Sequence, residues 1–498
     1  MLLAVAKNVN VCKMADVHYK SMNIGGYNEK ITEMTHPTRK SEKVIQFGEG
    51  NFMRGFFNWQ LQQMNKQGLF NGSAVVVQPI QQGLGSLLAQ QNHLYTVILE
   101  GLADGRPVQT SEIITTISRV LNPYEQWQDY LALAEIDDLD IIVSNTTEAG
   151  IAFDPQDKRT DMPPKSFPAK LTALLYQRYQ ANKSGYTIIP CELIDRNGEK
   201  LKACIQQYCS LWQLEDSFHT WLENENTFCC SLVDRIVPGY PQSKAEELNQ
   251  LHGYEDRLMV TAEPFMLWVI ENPSHTVSQK LPLPAASLNV IFTEDLTPYR
   301  ERKVHLLNGP HTAMVPLALL AGLATVEEVM LDPDFTCFID ELFNEELIPM
   351  LDLPQEELIQ YAEQIKERFK NPYVHHQLQS IALNSVSKFK ARLLPLLLRH
   401  HQQQLLPPRI IASLAGLIYL YLTTDCQDDE AVLALFEKAR ALDSSEQVSF
   451  ILGQEKLWGV DLSVFNKEVS QMVVLLSNKG SRHLVDSLKN EPTQKKAE

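Results

Sequence analysis

The stretch KVIQFGEGNFMRGFF, residues 43–57, decides the fold. Val44, Ile45 and Phe47 make a short apolar run that stops at Gly48, as a buried strand does. From Phe52 the apolar residues recur at helical spacing until Gly68 ends the pattern. A strand, a glycine turn and a helix are the setting in which a dinucleotide-binding turn works. Gly48 permits the tight turn, and Gly50 lets the backbone approach a pyrophosphate seated on the helix N-terminus. The third glycine of that pattern is replaced by Met53, and Gly55 comes two positions late. The motif alone therefore leaves a plain strand-to-helix turn open.

The surrounding sequence repeats the alternation. Residues 73–80 (SAVVVQPI) read as a buried strand ended by proline, and 94–101 and 112–120 alternate like strands. Residues 138–150 (DLDIIVSNTTEAG) run from an apolar strand into a polar tip. A helix is expected over 168–182 and a strand over 187–194. Alternating strands and helices predict a doubly wound, mostly parallel sheet, a Rossmann-like α/β domain. In such a sheet an acidic residue ending the second strand binds the cofactor ribose. Gln78 stands there, so the choice between NAD and NADP stays open.

Beyond residue 300 the strand signals fade. Helices are expected over 303–322, 335–347, 355–369, 373–399, 410–423 and 429–441. The expected organisation is a loosely attached or disordered extension at residues 1–40, a Rossmann-like domain at 41–295, and an all-helical C-terminal domain at 296–498.

The 498 residues suit more than one core, and 44% hydrophobic with 21% charged content is that of an ordinary globular chain. A formal charge of −17 argues against nucleic acid, which is bound by neutralising phosphates, but local charge can still receive a small anion. No apolar window is long enough for a membrane span. Eight scattered cysteines without a CxxC pair read as free thiols of a reducing cytoplasm, the expected location. No zinc-ligand spacing is evident, so no metal is expected.

Residues 303–311, KVHLLNGPH, concentrate the remaining chemistry. On an α-helix at about 100° per residue, His311 lies roughly 80° and Asn308 roughly 140° from Lys303, so the three share one broad face, with His305 on the side opposite Lys303. Pro310 lacks the N–H that the carbonyl of Leu306 would receive, so an interruption is expected around residues 308–310. Spacing alone also allows a solvated lysine and a packed histidine.

Lys303, Asn308 and His311, as K-x-x-x-x-N-x-x-H, resemble the signature of the polyol-specific long-chain dehydrogenases, the mannitol dehydrogenase family. FGEGNFMRGF, IIVSNTTEAGI, IIPCELIDRNG, LVDRIVPGYP and RFKNPYVHHQLQSIALNSVSKF agree with that family in order, from residue 43 to the last helices. The resemblance implies a metal-independent, NAD-linked, reversible oxidoreduction of a small-molecule sugar acid, D-altronate with D-tagaturonate, in hexuronate catabolism. The alternatives within the family are fructuronate and mannitol; a catalytically silent NAD-binding protein is the competing class. The implied catalytic residues are Lys303 as general acid/base, Asn308 as oxyanion donor, His311 as orienting group and Asn197 as a second asparagine. Leu193 stands where the family block carries its first asparagine. Phe47, Gly48, Gly50, Asn51, Phe52, Gln78, Asn145 and Thr146 are the cofactor candidates. Glu148, Arg235 and Lys388 are the substrate candidates. Asp234 and Arg235 also read as an ion pair. Oligomeric state is left open.

Overall fold

The computed structural model describes residues 29–495, except 36, 104, 148 and 273–275. Six parallel strands form the N-terminal sheet: β1 (Glu42–Phe47), β2 (Ser73–Val77), β3 (Ile117–Leu121), β4 (Ile141–Ser144), β5 (Thr187–Pro190) and β6 (Thr227–Phe228). Their order is β3-β2-β1-β4-β5-β6. This is the doubly wound Rossmann order, which reverses direction between β1 and β4 and opens a crevice at their carboxyl ends. Phe47 pairs with Val77 on one side and Ser144 on the other, so Gly48, Gln78 and Asn145 leave the sheet at one edge. Val75, Val76, Val77, Ile142 and Val143 are fully buried, because helices cover both faces of a parallel sheet.

The strand expected over 112–120 is two strands. Arg106–Ile114 pairs with Tyr95–Ala103 in a hairpin, and Thr115 and Thr116 lead into β3 of the main sheet. A second small sheet joins β7 (Ser231–Asp234), antiparallel to β8 (Leu267–Glu271), with β9 (Val290–Thr293) parallel to β8. Residues 1–28 of the expected extension lie outside the described residues. Residues 29–34 are not loose. Glu29–Lys30 pairs with Tyr254–Glu255, and Ile31 buries itself against Leu94 and Tyr254.

The C-terminal part is mostly rather than wholly helical: Leu405–Leu406 pairs with Gln494–Lys495. The helix expected over 373–399 is three helices, Leu378–Ile381, Ser385–Arg392 and Leu394–Gln402: Asn384 takes a left-handed conformation (φ 54°) between the first two, and Leu393 (φ −120°, ψ −36°) separates the second from the third. Two apolar helices form the centre, Gly309–Leu320 and Pro408–Thr423, buried on nearly all sides. They cross closely at Gly416, where a Cβ would stand 2.8 Å from Leu317 Cδ2. Each leucine or isoleucine sealed there contributes roughly 2 kcal/mol of burial. This core holds the start of the same helical run, residues 297–308, against the α/β domain.

Candidate active site

At the switch point the wall is main chain. Gly48 adopts φ +106°, its N–H donates to the carbonyl of Val77 at 3.1 Å, and a Cβ on it would stand 2.5 Å from the carbonyl oxygen of Asn145. Only glycine allows β1 and β4 to turn away from each other this closely. Gly50 caps the helical run 51–66, and a Cβ on it would meet nothing within 4 Å. The backbone there faces open space at a helix N-terminus, the geometry that receives a phosphate.

Beside this turn lies a cavity of about 570 Å³, lined by Phe52, Asn145, Thr147, Ala149, Leu193, Val233, Asp234, Arg235 and Lys303. It joins the ends of β1, β4, β5 and β7 to the C-terminal helix. Its floor is tied down by Glu192, whose buried carboxylate accepts from Ser144 Oγ (3.0 Å), Thr146 N (2.9 Å) and Thr146 Oγ1 (3.0 Å). Burial raises the Glu192 pKa, and those hydrogen bonds oppose the rise.

Lys303 opens a π-helical turn, residues 303–308, set within an otherwise α-helical run. The expected interruption at residues 308–310 is thus not a break. The wider turn absorbs the missing N–H of Pro310 and the helix continues. Its i→i+5 spacing brings Asn308 back toward the face of Lys303, which α-helical geometry would leave about 140° away. Lys303 Nζ donates to the carbonyl of Val233 at 2.7 Å. Burial lowers the Lys303 pKa; Asp234 opposes this and Arg368 adds to it. Among the described residues the Asn308 carboxamide has no protein hydrogen bond, while its carbonyl accepts from Thr312 Oγ1 at 3.1 Å. His311 stacks on Phe369 (4.2 Å between centroids) and meets His376 edge-on (5.0 Å). Burial, with His376, Arg392, Arg368 and Lys388 nearby, drives its pKa well below the ordinary value, so the ring is neutral. His311 Nε2 is buried without a partner.

Asp234 does not pair with Arg235. Both its oxygens accept from Arg368 (2.9 and 3.0 Å), which also holds Glu263 (2.8 and 3.0 Å), and Tyr361 donates to it at 3.2 Å. Burial would raise the Asp234 pKa, but Arg368 and Lys303 hold it below the usual carboxylate value. Asp234 is therefore an anion beside the lysine.

The Mannitol dehydrogenase Rossmann domain matches residues 42–283, and the Mannitol dehydrogenase C-terminal domain matches residues 295–477. The chain belongs to the mannitol dehydrogenase family. Within the family it is 46% identical to the altronate oxidoreductase of Bacillus subtilis (89% of this chain, 94% of that protein). It is 42% identical to that of Yersinia enterocolitica (88% and 93%). The Pseudomonas fluorescens mannitol 2-dehydrogenase complex with NAD and D-mannitol shares the fold at TM-score 0.67 and 23% identity, over 91% of this chain and 95% of that one. A D-sorbitol dehydrogenase does so at TM-score 0.78 and 20% identity, over 92% and 97%.

Of the candidates nominated by the mannitol dehydrogenase resemblance, Phe52, Asn145, Arg235 and Lys303 meet on the cavity wall. Asn308 and His311 follow Lys303 along its helix. Asn51 sits at the helix start, its Oδ1 accepting from Arg54 at 2.7 Å. Thr146 is turned to Glu192, and Thr147 (φ +78°) faces the cavity instead. Glu148 lies outside the described residues.

Phe47, Gln78, Asn197 and Arg235 have other work. The Phe47 side chain is fully buried between Tyr130 and Phe167, so it supports β1 and does not reach a cofactor. The Gln78 amide nitrogen donates to the carbonyls of Ile80 (2.8 Å) and Gln81 (3.0 Å), and its oxygen accepts from Gly85 N (3.1 Å). It closes its own loop and is not free for a ribose. Asn197 is fully buried and clamps main chain: its amide nitrogen reaches the carbonyls of Pro190, Glu192 and Ser231, each at 3.0 Å. It is not a second catalytic asparagine. Arg235 donates to the carbonyls of Glu263 and Gly55 (both 2.9 Å) and lies over Trp59 (4.3 Å), leaving only Nη2 without a partner. A free fork for a carboxylate is not available there. Lys388 is half-buried, with Nζ donating to the carbonyl of Ile381 at 2.7 Å.

Sequence reading missed Thr147, Ala149 and Val233 as cavity residues and Arg368 as the partner of Asp234. The position of VDR at a strand end was the one signal available. Elsewhere, Glu199, Cys230 and Glu271 bring three potential ligand atoms within 4.8 Å, but Arg196 bridges both carboxylates. Among the described residues no helix is long and apolar enough to cross a membrane.

Proposed function

We propose that this chain is a lysine-dependent NAD(H) oxidoreductase that interconverts D-altronate and D-tagaturonate. The observation that carries the reading is Lys303, a desolvated amine on the wall of a cavity at the Rossmann switch point. The relatives at 40–46% identity that are named altronate oxidoreductase support the choice of substrate.

The site fits a dinucleotide. Gly48 and Gly50 give the close, open backbone a pyrophosphate needs, and Phe52, Asn145 and Thr147 continue the wall toward Lys303. Bound NAD(H) supplies or takes up the hydride. The chain's own residues manage the proton and the developing charge. In reduction, the Lys303 ammonium donates a proton to the carbonyl oxygen as it becomes an alkoxide. In oxidation, the neutral amine accepts the hydroxyl proton. The Val233 carbonyl fixes the direction of Nζ, and Asp234 balances the ammonium against its burial. The unpartnered Asn308 amide donates to the same oxygen as its charge grows, and neutral His311 orients the adjoining hydroxyl.

Turnover of tagaturonate, fructuronate and fructose, each with NADH and NADPH, tests this reading. Tagaturonate with NADH should give the highest kcat/KM. Good turnover of fructose without turnover of tagaturonate would refute the substrate, and turnover of none would refute the enzyme.

A further inference from the structure

The helix Ser385–Arg392 crosses the catalytic helix at its π-helical turn. His305 Nδ1 lies 2.7 Å from the carbonyl of Arg392, and a Cβ on Gly309 would be 3.5 Å from Leu393 Cδ2. The crossing delivers the Arg392 guanidinium to the exit of that turn. Its Nη1 donates to Thr312 Oγ1 at 3.1 Å, and that hydroxyl in turn donates to the carbonyl of Asn308. Arg392 is therefore held one helical turn beyond Asn308, about 6 Å along the axis, through Thr312, the residue that follows His311.

The charges around His311 are not balanced. Four groups lower its pKa after burial itself: His376, Arg392, Arg368 and Lys388. Arg368 is matched by Asp234 and Glu263. Among the described residues Arg392 and Lys388 have no carboxylate within 4.0 Å. Lys388 is directed at a main-chain carbonyl, and its pKa is lowered by burial and by Arg392, with Asp428 opposing them. Burial lowers the Arg392 pKa, and nothing acidic opposes it. Two half-buried cations without counterions are costly to keep in a chain whose net charge is −17. They make sense if an anion arrives with the substrate.

We propose that Arg392, assisted by Lys388, receives the carboxylate of the sugar acid. This rests on the function proposed above and adds the part of the site that separates a sugar acid from a neutral sugar. A guanidinium binds a carboxylate through a two-pronged pair of charged hydrogen bonds, which an uncharged hydroxyl cannot replace. With the reacting carbonyl between Lys303 and Asn308, one further helical turn is the scale of an open six-carbon chain. Arg235, the sequence-level candidate for this task, is held by main chain and an indole ring.

Arg392→Gln and Arg392→Lys, assayed against tagaturonate and fructose with NADH, test the assignment. NADH fluorescence quenching serves as the control for folding. Arg392→Gln should raise KM for the sugar acid roughly 30-fold or more, so that its kcat/KM preference over fructose falls by the same factor. Arg392→Lys should recover part of the loss. An equal loss on both substrates, or an unchanged KM for the sugar acid, overturns the proposal. If the wild-type enzyme does not reduce tagaturonate, the substrate reading fails separately. Inhibition by D-gluconate against whichever ketose it reduces then decides the role of Arg392: weaker inhibition of Arg392→Gln supports it, and equal inhibition overturns it.

Discussion

The two walls of the cavity are built by opposite means. At the glycine turn the wall from the α/β domain is backbone: Gly48 and Gly50 act by having no side chain. The wall from the helical domain is side chain: Lys303, Asn308 and His311 act through polar atoms that the fold buries or leaves unpartnered. The first wall is a steric device and the second an electrostatic one. Damage to the first should therefore weaken cofactor binding, and damage to the second should slow chemistry with binding intact.

The largest expected effect sharpens that division. Lys303→Met should lower kcat by about 10² to 10⁴ in both directions, while NADH affinity measured by fluorescence stays within about threefold. A parallel loss of NADH affinity would merge the two walls into one. Gly48→Val comes next. Its φ of +106° and the 2.5 Å approach to the Asn145 carbonyl leave no room for a side chain. Strain of about 1–3 kcal/mol should appear as a tenfold to hundredfold weaker NADH affinity, with kcat at saturating NADH less affected.

The smallest effect concerns a residue that belongs to neither wall. Asn197→Ala should cost about 1–3 kcal/mol of stability in denaturant titration, because main-chain groups that it satisfies become orphaned. The folded fraction should keep its kcat. A hundredfold loss of kcat in a stable variant would return Asn197 to the catalytic set.

The steric wall was legible in the sequence because its rule is local. A β-branched or apolar run, a glycine pair and a helical pattern lie side by side, and the strand order follows from their alternation. The electrostatic wall was legible only in part. Lys303, Asn308 and His311 could be named and placed on one broad face, but a period of 3.6 residues leaves Lys303 and Asn308 about 140° apart. The π-helical turn that realigns them has no signal beyond Pro310. Long-range partners were invisible. Asp234 is followed directly by Arg235, yet successive extended residues point to opposite sides, and the true partner, Arg368, is 134 positions away. Gln78 and Asn197 look free in a linear motif, and their amides are occupied by main chain only once the loops close. Arg392 stands out only after the ion pairs around it are mapped.

The central claim is that Lys303 carries the proton, and the pH dependence of altronate oxidation with NAD tests it most directly. Oxidation needs the neutral amine. Burial holds the Lys303 pKa below its ordinary 10.5, so kcat/KM should rise with pH through a limb that lies under that value. Reduction needs the ammonium and should fall with pH through the corresponding limb. Lys303→Met should abolish both limbs along with most of the rate. The same limb in the variant and the wild-type enzyme would contradict the account, because the titrating group would then not be Lys303.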